Sequence, residues 1–328
     1  MRKWVRPLAF VALLGNSAAL SAQIVINEVS AANLDQFADG FGEYEDWVEL
    51  HNPTGAAVDI SGWYLSDNPN VPLKWSFGPG TLVPANGRIM VFASGRDLNT
   101  GPYHASFKLN QTDQEWVVLS DGGGNTVDDF QLQDPVKTNG SWGRTTDGAA
   151  TWSLFQSATP NAANAVAGPY YTARPVLSPA AGYHSGTVNV TMTSPVAGAT
   201  IRYTLDGSTP TAASPAYSGP VAINATTVVR AMAFDPDPAV PPSFVETNTY
   251  FVNVTHTVPI LSGAGDDLLT LLNGNGGIRP LCHLEYFGAD GVLRDEAYGE
   301  FNEHGQDSWA YDQRGVDFIA RDQTGYND

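Results

Sequence analysis

The feature of this sequence that most restricts its fold is a repeated alternation of apolar and polar residues. Residues 187–195, TVNVTMTSP, and residues 200–208, TIRYTLDGS, alternate in this way, and the runs RIMVFASG and EWVVLSDGGG pass into glycine turns. A period of two, bounded by Gly, Pro, Asn and Asp, is typical of half-buried antiparallel strands. The apolar members predicted to share one face within each segment are Val188, Val190, Met192, Ile201, Tyr203 and Leu205.

Helical periodicity is nearly absent before residue 260. The exception, GDDLLTLLNG, predicts a short helix with Asp266 or Asp267 as its N-cap and Gly274 at its end. The chain is therefore predicted to be all-β, with a short helical element late in the sequence.

The first residues have the pattern of a secretory signal. Arg2, Lys3 and Arg6 make a basic start, residues 8–14 are apolar, and small residues follow. This pattern predicts a signal peptide over residues 1–22 and therefore export of the protein. The alternative is a buried helix. No other segment has the ~18 consecutive apolar residues of a transmembrane helix, so no membrane span is predicted.

The charge of the chain argues against one class of partner. The formal net charge is −18, and removal of the signal, with three basic residues and no acids, makes it −21. Such a surface repels phosphate backbones, so no nucleic-acid partner is expected. The acids either attract divalent cations or only keep the protein soluble.

Cys282 is the only cysteine, which excludes an internal disulfide and a paired-cysteine zinc or redox motif. An exported chain of this length then depends on core burial, most naturally in two or three domains. An Ala-, Asn- and Pro-rich stretch at 156–169 has the composition of a linker, and a second boundary lies near 253–259. The predicted parts are 24–164, a linker at 165–172, 173–254, and 255–328.

Asp46, Glu49 and His51 are the first candidates for chemistry, because two acids and a histidine fall within six positions. On a strand, Val48 and Leu50 are predicted to face a core, with Trp47, Glu49 and His51 on the other face. Glu49 and His51 are then about 7 Å apart, beyond hydrogen-bonding distance. Catalysis would need partners from elsewhere, and the sequence shows none, so no catalytic residue is assigned.

The segment around these residues is strongly acidic. It contains Asp35, Asp39, Glu43, Glu45, Asp46 and Glu49, with no Lys or Arg among them. Calcium takes six to eight oxygen ligands, but the spacing departs from that of an EF-hand loop. A solvated acidic loop is the favoured interpretation and weak calcium binding the alternative. No metal ligand and no cofactor are assigned.

Residues 24–164 contain the motifs Asn27-Glu28, DWVELHNP, VDISGWYLSD, WSF followed by LVPANGRIMVFASG, and the closing ATPNAAN. With these motifs the segment resembles the lamin-tail domain family in its bacterial, secreted form. The resemblance implies an immunoglobulin-like β-sandwich that serves as a scaffold or interaction module. It also implies that Glu49 is outward-facing or structurally hydrogen-bonded. The aromatic and apolar residues it assigns to the core or a sheet face are Trp63, Leu65, Trp75 and Phe77.

Residues 173–252 contain the motifs ARPVLSPAAGYHSGTVNVTMTSP, IRYTLDGSTPT, Tyr217, SGPVAI, VVRAMAF and TYFV. With these motifs the segment resembles the small C-terminal domain of chitobiases and β-hexosaminidases. The resemblance implies a second β-sandwich, which recurs as a spacer in secreted bacterial proteins. The glycosidase chemistry belongs to a different domain of those enzymes and is not carried over.

Residues 279–328 are similar to the opening of the CotH family of atypical protein kinases, in HLEYF, HGQDSWAYDQRGVDFIARD and GYND. The resemblance implies the first strands of a nucleotide lobe and a longer protein. Gln313-Arg314-Gly315 stands where a phosphate-binding lysine is expected, and Arg314 is predicted on an early strand without a partner. His304, in NEHGQDSW, is the histidine most closely flanked by acids. The base and magnesium ligands of phosphoryl transfer are not found in this chain.

The predicted fold is all-β, with two immunoglobulin-like β-sandwiches in tandem and an incomplete α+β segment after them. The predicted function is a secreted or cell-surface scaffold or adhesion protein. Its partner would be a surface protein or a polysaccharide that the sequence does not identify. One alternative is a secreted kinase whose catalytic residues lie beyond residue 328. Another is a carbohydrate-binding accessory module, for which an exposed tryptophan is the distinguishing observation.

Overall fold

The computed structural model describes residues 24–305 and 314–324. The predicted signal peptide, residues 1–22, and Gln313 lie outside the described residues. The strands of the first module are β1 Val25–Ser30, β2 Trp47–His51, β3 Val58–Asp59, β4 Tyr64–Ser66, β5 Trp75–Ser76, β6 Leu82–Val83, β7 Arg88–Phe92, β8 Tyr103–His104, β9 Trp116–Ser120, β10 Thr126–Gln131, β11 Ser141–Arg144 and β12 Trp152–Phe155.

These strands form two main sheets. One has the order β12-β11-β1-β2-β7-β8, the other has the order β10-β9-β4-β5, and β3 pairs with β6. The pairings are antiparallel except for β7 with β8. Val48 and Leu50 of the first sheet face Leu65 and Leu119 of the second in one apolar core. Of the aromatic residues predicted for this core, Trp75 and Phe77 are buried in it and Trp63 packs against it.

The first sheet is also covered on its other face. Trp47 and Phe92 form a second apolar cluster there with Ala158. Glu49 and His51 lie on this face, as predicted, but both are buried. Of the two alternatives for Glu49, the structurally hydrogen-bonded position is the one observed. A solvent-facing position is wrong for His51, because later parts of the chain fold back over this face.

The second module has seven strands, β13 Val176–Ser178, β14 Gly182–His184, β15 Val188–Thr193, β16 Thr200–Thr204, β17 Val221–Ile223, β18 Thr227–Phe234 and β19 Glu246–Val252. Their sheets have the orders β13-β15-β17 and β14-β19-β18-β16. Along β15 buried and exposed residues alternate as predicted, with Val190 fully buried. Leu205 was expected to continue the inward face of β16 but is exposed, because the strand ends at Thr204. The two modules confirm the prediction of tandem sandwiches.

The last part contains β20 Ile260–Ala264, helix α1 Leu268–Leu272, β21 Leu281–Phe287, β22 Leu293–Glu303, β23 Val316–Ala320 and a 3-10 turn Asp322–Thr324. The four strands form one antiparallel sheet in chain order. Asp267 occupies the N-cap position of α1, but its side chain makes no capping hydrogen bond. Gly274, with a φ of 114°, follows the helix in a conformation that favours glycine.

Arg314 corrects a prediction about this part. The strand that follows it, β23, pairs with β22 from Glu303 to Gly299, so it is not an unpaired strand. Arg314 itself donates a hydrogen bond to the carbonyl oxygen of Leu272, at the end of α1. The guanidinium therefore caps a helix end, where a positive charge is favourable. Within the described residues, no helix has the length and apolar character needed to cross a bilayer.

Candidate functional site

Two glutamates lie opposite each other on the central strands of the first sheet. Glu28 on β1 and Glu49 on β2 are cross-strand partners, and both are fully buried. The register shifts between Ile26 and Glu28, so Asn27 is the extra residue of a β-bulge. The Asn27 amide Nδ2 donates to Glu49 Oε1 at 2.8 Å and to Asn164 Oδ1 at 2.9 Å. The bulge therefore brings three polar side chains together on the same face of the sheet.

The segment 159–164 closes over these carboxylates. Thr159 donates to Glu28 through its backbone N–H at 2.8 Å and through Oγ1 at 2.6 Å. The backbone N–H of Asn161 donates to Glu49 Oε2 at 2.8 Å. This segment, predicted as part of a linker, is bound to the first module by its hydrogen bonds.

Two arginines supply positive charge to the polar cluster around Asn27, Glu28 and Glu49. Arg88 Nε lies 3.2 Å from Glu49 Oε1, and its Nη2 pairs with Asp147. Arg144 donates from Nη2 to Asp128 Oδ2 at 2.7 Å and from Nε to the Ile26 carbonyl at 2.7 Å. Since Asp128 lies on β10 of the other sheet, this ion pair joins the two sheets.

Burial sets the protonation of the glutamates. It raises the pKa of Glu49 to about 7, against the lowering effect of the Asn27 hydrogen bond. Burial also raises the pKa of Glu28, which Ser141 and Thr159 partly offset by hydrogen bonding. The pKa of His51 is lowered by burial.

The arrangement suits a structural role, in which the glutamates hold the segment 159–164 against the sheet, and does not suit catalysis. A general acid or base must reach a bound substrate, whereas both oxygens of Glu28 and of Glu49 already accept hydrogen bonds within the protein. His51 Nδ1 is 3.0 Å from the Gly87 carbonyl oxygen and has no described bond to Glu49. Asp46 is buried near Asp322 of the last part, and burial raises its pKa well above the usual range. The three candidates from the sequence therefore do not form one site.

The other acids of the 35–49 segment are dispersed. Asp35 accepts from Asn139 Nδ2 at 2.6 Å, and Asp39 Oδ1 accepts the backbone N–H groups of Phe41 and Glu43. Glu45 lies 3.7 Å from Lys108. Across residues 24–305 and 314–324, His, Cys, Asp and Glu side chains nowhere group in threes that suit a metal ion. Weak or absent calcium binding remains a prediction, which titration calorimetry on the protein would test.

The sequence analysis did not predict most residues of the polar cluster around Glu28 and Glu49, namely Arg88, Asp128, Arg144, Asp147 and Asn164. Each is a common surface residue type, and its partners are far away along the chain. The available signal was the polar pair Asn27-Glu28 inside an apolar strand, together with the ATPNAAN motif. These two motifs bond to each other through Asn27 and Asn164, which are 137 residues apart.

A second feature of the first module is an aromatic cleft beside β10. Trp116, Phe130, Trp142 and Trp152 line it, together with Asp and Gln side chains. All four aromatic residues are half-buried. No tryptophan among the described residues is fully exposed, so the observation that would favour a carbohydrate-binding module over a plain scaffold is not made; the three cleft tryptophans are only partly accessible to solvent.

Comparison with known families supports two of the three resemblances. Residues 17–134 match the Lamin Tail Domain family, and residues 179–243 match the Chitobiase/beta-hexosaminidase C-terminal domain family. No match supports the CotH resemblance of residues 279–328. No curated protein matches the chain. Each of the two matches falls on one of the two β-sandwich modules. This indicates a multidomain protein built from non-catalytic or carbohydrate-related units.

The buried glutamates lead to a prediction about pH. Glu49, Glu246 and Glu285 each have a pKa raised to about 7 by burial. An unfolded glutamate has a pKa of about 4.3, so the folded state keeps protons that the unfolded state loses. Their contribution to stability is therefore fully present below about pH 4.3 and is lost as the pH rises to about 7.

The expected result is that the change in melting temperature caused by Glu49→Gln, relative to wild type, is more favourable at about pH 8 than at about pH 5. His51 and His104 have lowered pKa values and act in the opposite direction, so the comparison between variant and wild type is needed. Calorimetry at both pH values measures the effect, with exposed Glu43→Gln as the control. An equal shift at both pH values would show that Glu49 does not titrate in this range.

Proposed function

We propose that this chain is a non-catalytic scaffold or adhesion protein that is exported and acts at or outside the cell surface. The basic and apolar pattern of residues 1–22 supports export. The observation that carries the scaffold function is a set of packed junctions, which join the first module to the second and both to the last part. Packed junctions hold the modules at a defined spacing, which is what a scaffold requires.

Lys137 is the centre of the first junction. Its Nζ donates to the carbonyl oxygens of Pro242 and Ser243 in the second module, at 2.9 and 3.0 Å. The same ammonium lies 5.0 Å from the ring centre of Tyr171 and 5.6 Å from that of Phe244. Cation–π contacts and paired carbonyls stabilise the charge in a site where burial lowers the pKa of Lys137 to about 8.

The residues predicted as a linker, 165–172, take part in this junction. Tyr171 is buried, and its hydroxyl accepts the backbone N–H of Lys137 at 3.0 Å. Tyr170 stacks on Trp142 of the first module with ring planes 10° apart. Thr172 bonds to the Pro241 carbonyl of the second module through both its N–H and its hydroxyl. The segment is therefore packed against both modules.

The last part is attached to both modules. Glu285 on β21 accepts hydrogen bonds from the N–H and hydroxyl of Thr249 on β19. The Phe251 and Phe287 rings meet edge to face at 5.1 Å. Gln111 of the first module donates to the Asp322 carbonyl at 2.7 Å. These contacts favour modules that are held in fixed relative positions over modules that are joined by flexible linkers.

The alternative of a secreted kinase has less support in the described residues. Arg314 is engaged at the end of α1. His304 pairs with Asp317 on an exposed surface, at 2.9 Å. The similarity of residues 279–328 to CotH proteins stays a prediction. Magnesium-binding acids encoded after residue 328 would favour the kinase.

Small-angle X-ray scattering of the mature chain tests the rigid scaffold. We expect the wild-type curve to fit one conformation and Lys137→Ala to give a larger radius of gyration with unchanged secondary structure. The reason is that the variant loses two hydrogen bonds across the junction, each worth about 0.5–1.5 kcal/mol, and the cation–π contacts. The control is Lys108→Ala, since that side chain is 70% exposed and forms only a distant ion pair.

Two results would contradict the proposal. A wild-type scattering curve that requires many module orientations would exclude a rigid scaffold. Phosphate incorporation from labelled ATP with magnesium or manganese, lost in Arg314→Ala, would exclude a non-catalytic role.

A further inference from the structure

The aromatic cleft of the first module lies where the two sheets are open. β10 is the edge strand of one sheet and β12 is the edge strand of the other. Between them is a cleft of about 380 Å³. Clefts of about 300–1,000 Å³ are typical of small-molecule sites. The volume therefore suits one or two sugar rings.

One wall of the cleft is a set of packed rings. Phe130 stacks on Trp152 with centroids 3.8 Å apart, and Trp142 lies 6.3 Å from Phe130 on the same wall. Tyr170 covers one face of Trp142, whose Nε1 donates to the Asp134 carbonyl at 2.9 Å. Phe130, Trp142 and Trp152 also pack against the core of the sandwich. Their orientation is thus held in place before any ligand binds.

Trp116 differs from these three rings. It lies on β9 opposite Gln131 and belongs to none of the apolar clusters formed by the described residues. Within the same residues it makes no contact with another aromatic ring. Since Val117 and Leu119 of the same strand supply the core contacts of β9, the Trp116 ring is not needed to complete the core.

The polar groups of the cleft restrict the class of ligand. Asp129 and Asp134 are exposed, neither forms an ion pair with a described residue, and no Lys or Arg lines the cleft. An anionic ligand would be repelled by these carboxylates. A purely apolar ligand would remove them from water without replacing their hydrogen bonds, at a cost in affinity. Gln131 Nε2 donates one hydrogen bond to the Gln114 carbonyl at 3.2 Å, which leaves its second N–H and its Oε1 to add a donor and an acceptor.

We propose that this cleft binds a hexopyranose unit of a polysaccharide. A pyranose presents an apolar C–H face, which packs on an indole ring such as Trp116. Its hydroxyls donate to the Asp129 and Asp134 carboxylates and exchange hydrogen bonds with Gln131. The inference deepens the proposed function, on which it rests for an extracellular partner, by naming a polysaccharide as that partner.

A neutral sugar and an amino sugar both offer this apolar face and these hydroxyls, but they differ in charge. A neutral sugar needs hydrogen-bond acceptors, which Asn supplies nearly as well as Asp. An amino sugar gains in addition from the negative charge at Asp129 and Asp134. Asp129→Asn should therefore weaken binding of an amino-sugar oligomer and leave binding of a neutral oligomer nearly unchanged.

The test is binding of the mature chain to cello-, chitin and chitosan oligosaccharides by titration calorimetry, in enough salt to screen the acidic surface. We expect at least one oligosaccharide to bind and Trp116→Ala to weaken it about tenfold, as loss of one aromatic stacking contact predicts. Tyr44→Ala is the control, because Tyr44 is a 48% exposed ring outside the cleft. Circular dichroism checks that each variant is folded.

Absence of binding to all three oligosaccharides would overturn the sugar site, as would unchanged affinity in folded Trp116→Ala. Equal weakening by Tyr44→Ala would show non-specific binding and also overturn it. The scattering experiment is independent of these results, so a rigid wild-type chain without sugar affinity would leave the scaffold proposal standing.

Discussion

Val48→Asp should unfold the first module. Val48 is fully buried on β2, between Val29 on β1 and Val91 on β7, and belongs to the main apolar core. The substitution loses the burial of a valine side chain, about 1.5–3 kcal/mol. It also places a carboxyl group in a cluster of apolar side chains, which costs several kcal/mol more. The sum approaches the ~5–15 kcal/mol that stabilises a typical domain.

Thermal and urea unfolding followed by circular dichroism measure this effect. His51→Ala is the matched control, because it lies on the same strand with its side chain on the other face. His51 is buried and lies 3.0 Å from the Gly87 carbonyl, so its loss should cost about 1 kcal/mol. Equal shifts in melting temperature for the two variants would show that the faces of β2 are assigned wrongly.

Arg144→Met should produce the second large loss of stability. Its guanidinium is bonded to Asp128 on β10, to the Ile26 carbonyl on β1 and to the Ala149 carbonyl. It also lies 5.1 Å from the centre of the Trp152 ring. Removal leaves the Asp128 carboxylate without its positive partner in a largely buried position. Breaking one side of a buried ion pair costs about 3–5 kcal/mol.

The control for Arg144 is Arg294→Met. Arg294 pairs with Asp290 at 2.5 Å on the surface, where both side chains are more than half exposed. An exposed pair contributes about 0–1 kcal/mol, so urea unfolding should barely change. The double variant Arg144→Met with Asp128→Asn should regain part of the loss, since no unpaired charge remains. A loss in Arg144→Met as small as that in Arg294→Met would mean that the ion pair does not hold the two sheets together.

Strand periodicity was predictable because it depends on near neighbours. The buried and exposed residues of β15 alternate as its sequence does, and the GDDLLTLLNG pattern contains α1. The same reasoning placed Val48 and Leu50 in the core. It failed at Leu205, where the strand ends one residue earlier than the alternation does.

The site was less predictable because its contacts are long-range. Alternation along the strand left Glu49 either outward-facing or structurally hydrogen-bonded. Its partners Asn161 and Arg88 come from distant parts of the chain, which alternation does not reveal. The bulge at Asn27 changes which residues share a face with Glu49, and strict alternation does not anticipate a bulge. The composition of 156–169 predicted a linker, whereas Thr159 and Asn161 donate hydrogen bonds to the buried Glu28 and Glu49. Asn164 accepts a hydrogen bond from the buried Asn27 amide.

The sequence by itself determined the all-β architecture, the two β-sandwich modules and the absence of an internal disulfide, since these follow from local periodicity, motifs and a single cysteine. The tertiary structure alone decided that Glu28 and Glu49 are buried, that Lys137 joins two modules, and that Trp116 borders an open cleft. The physical reason is that side-chain direction along a strand is set by neighbouring residues. Burial and pKa depend instead on which distant segment covers the strand.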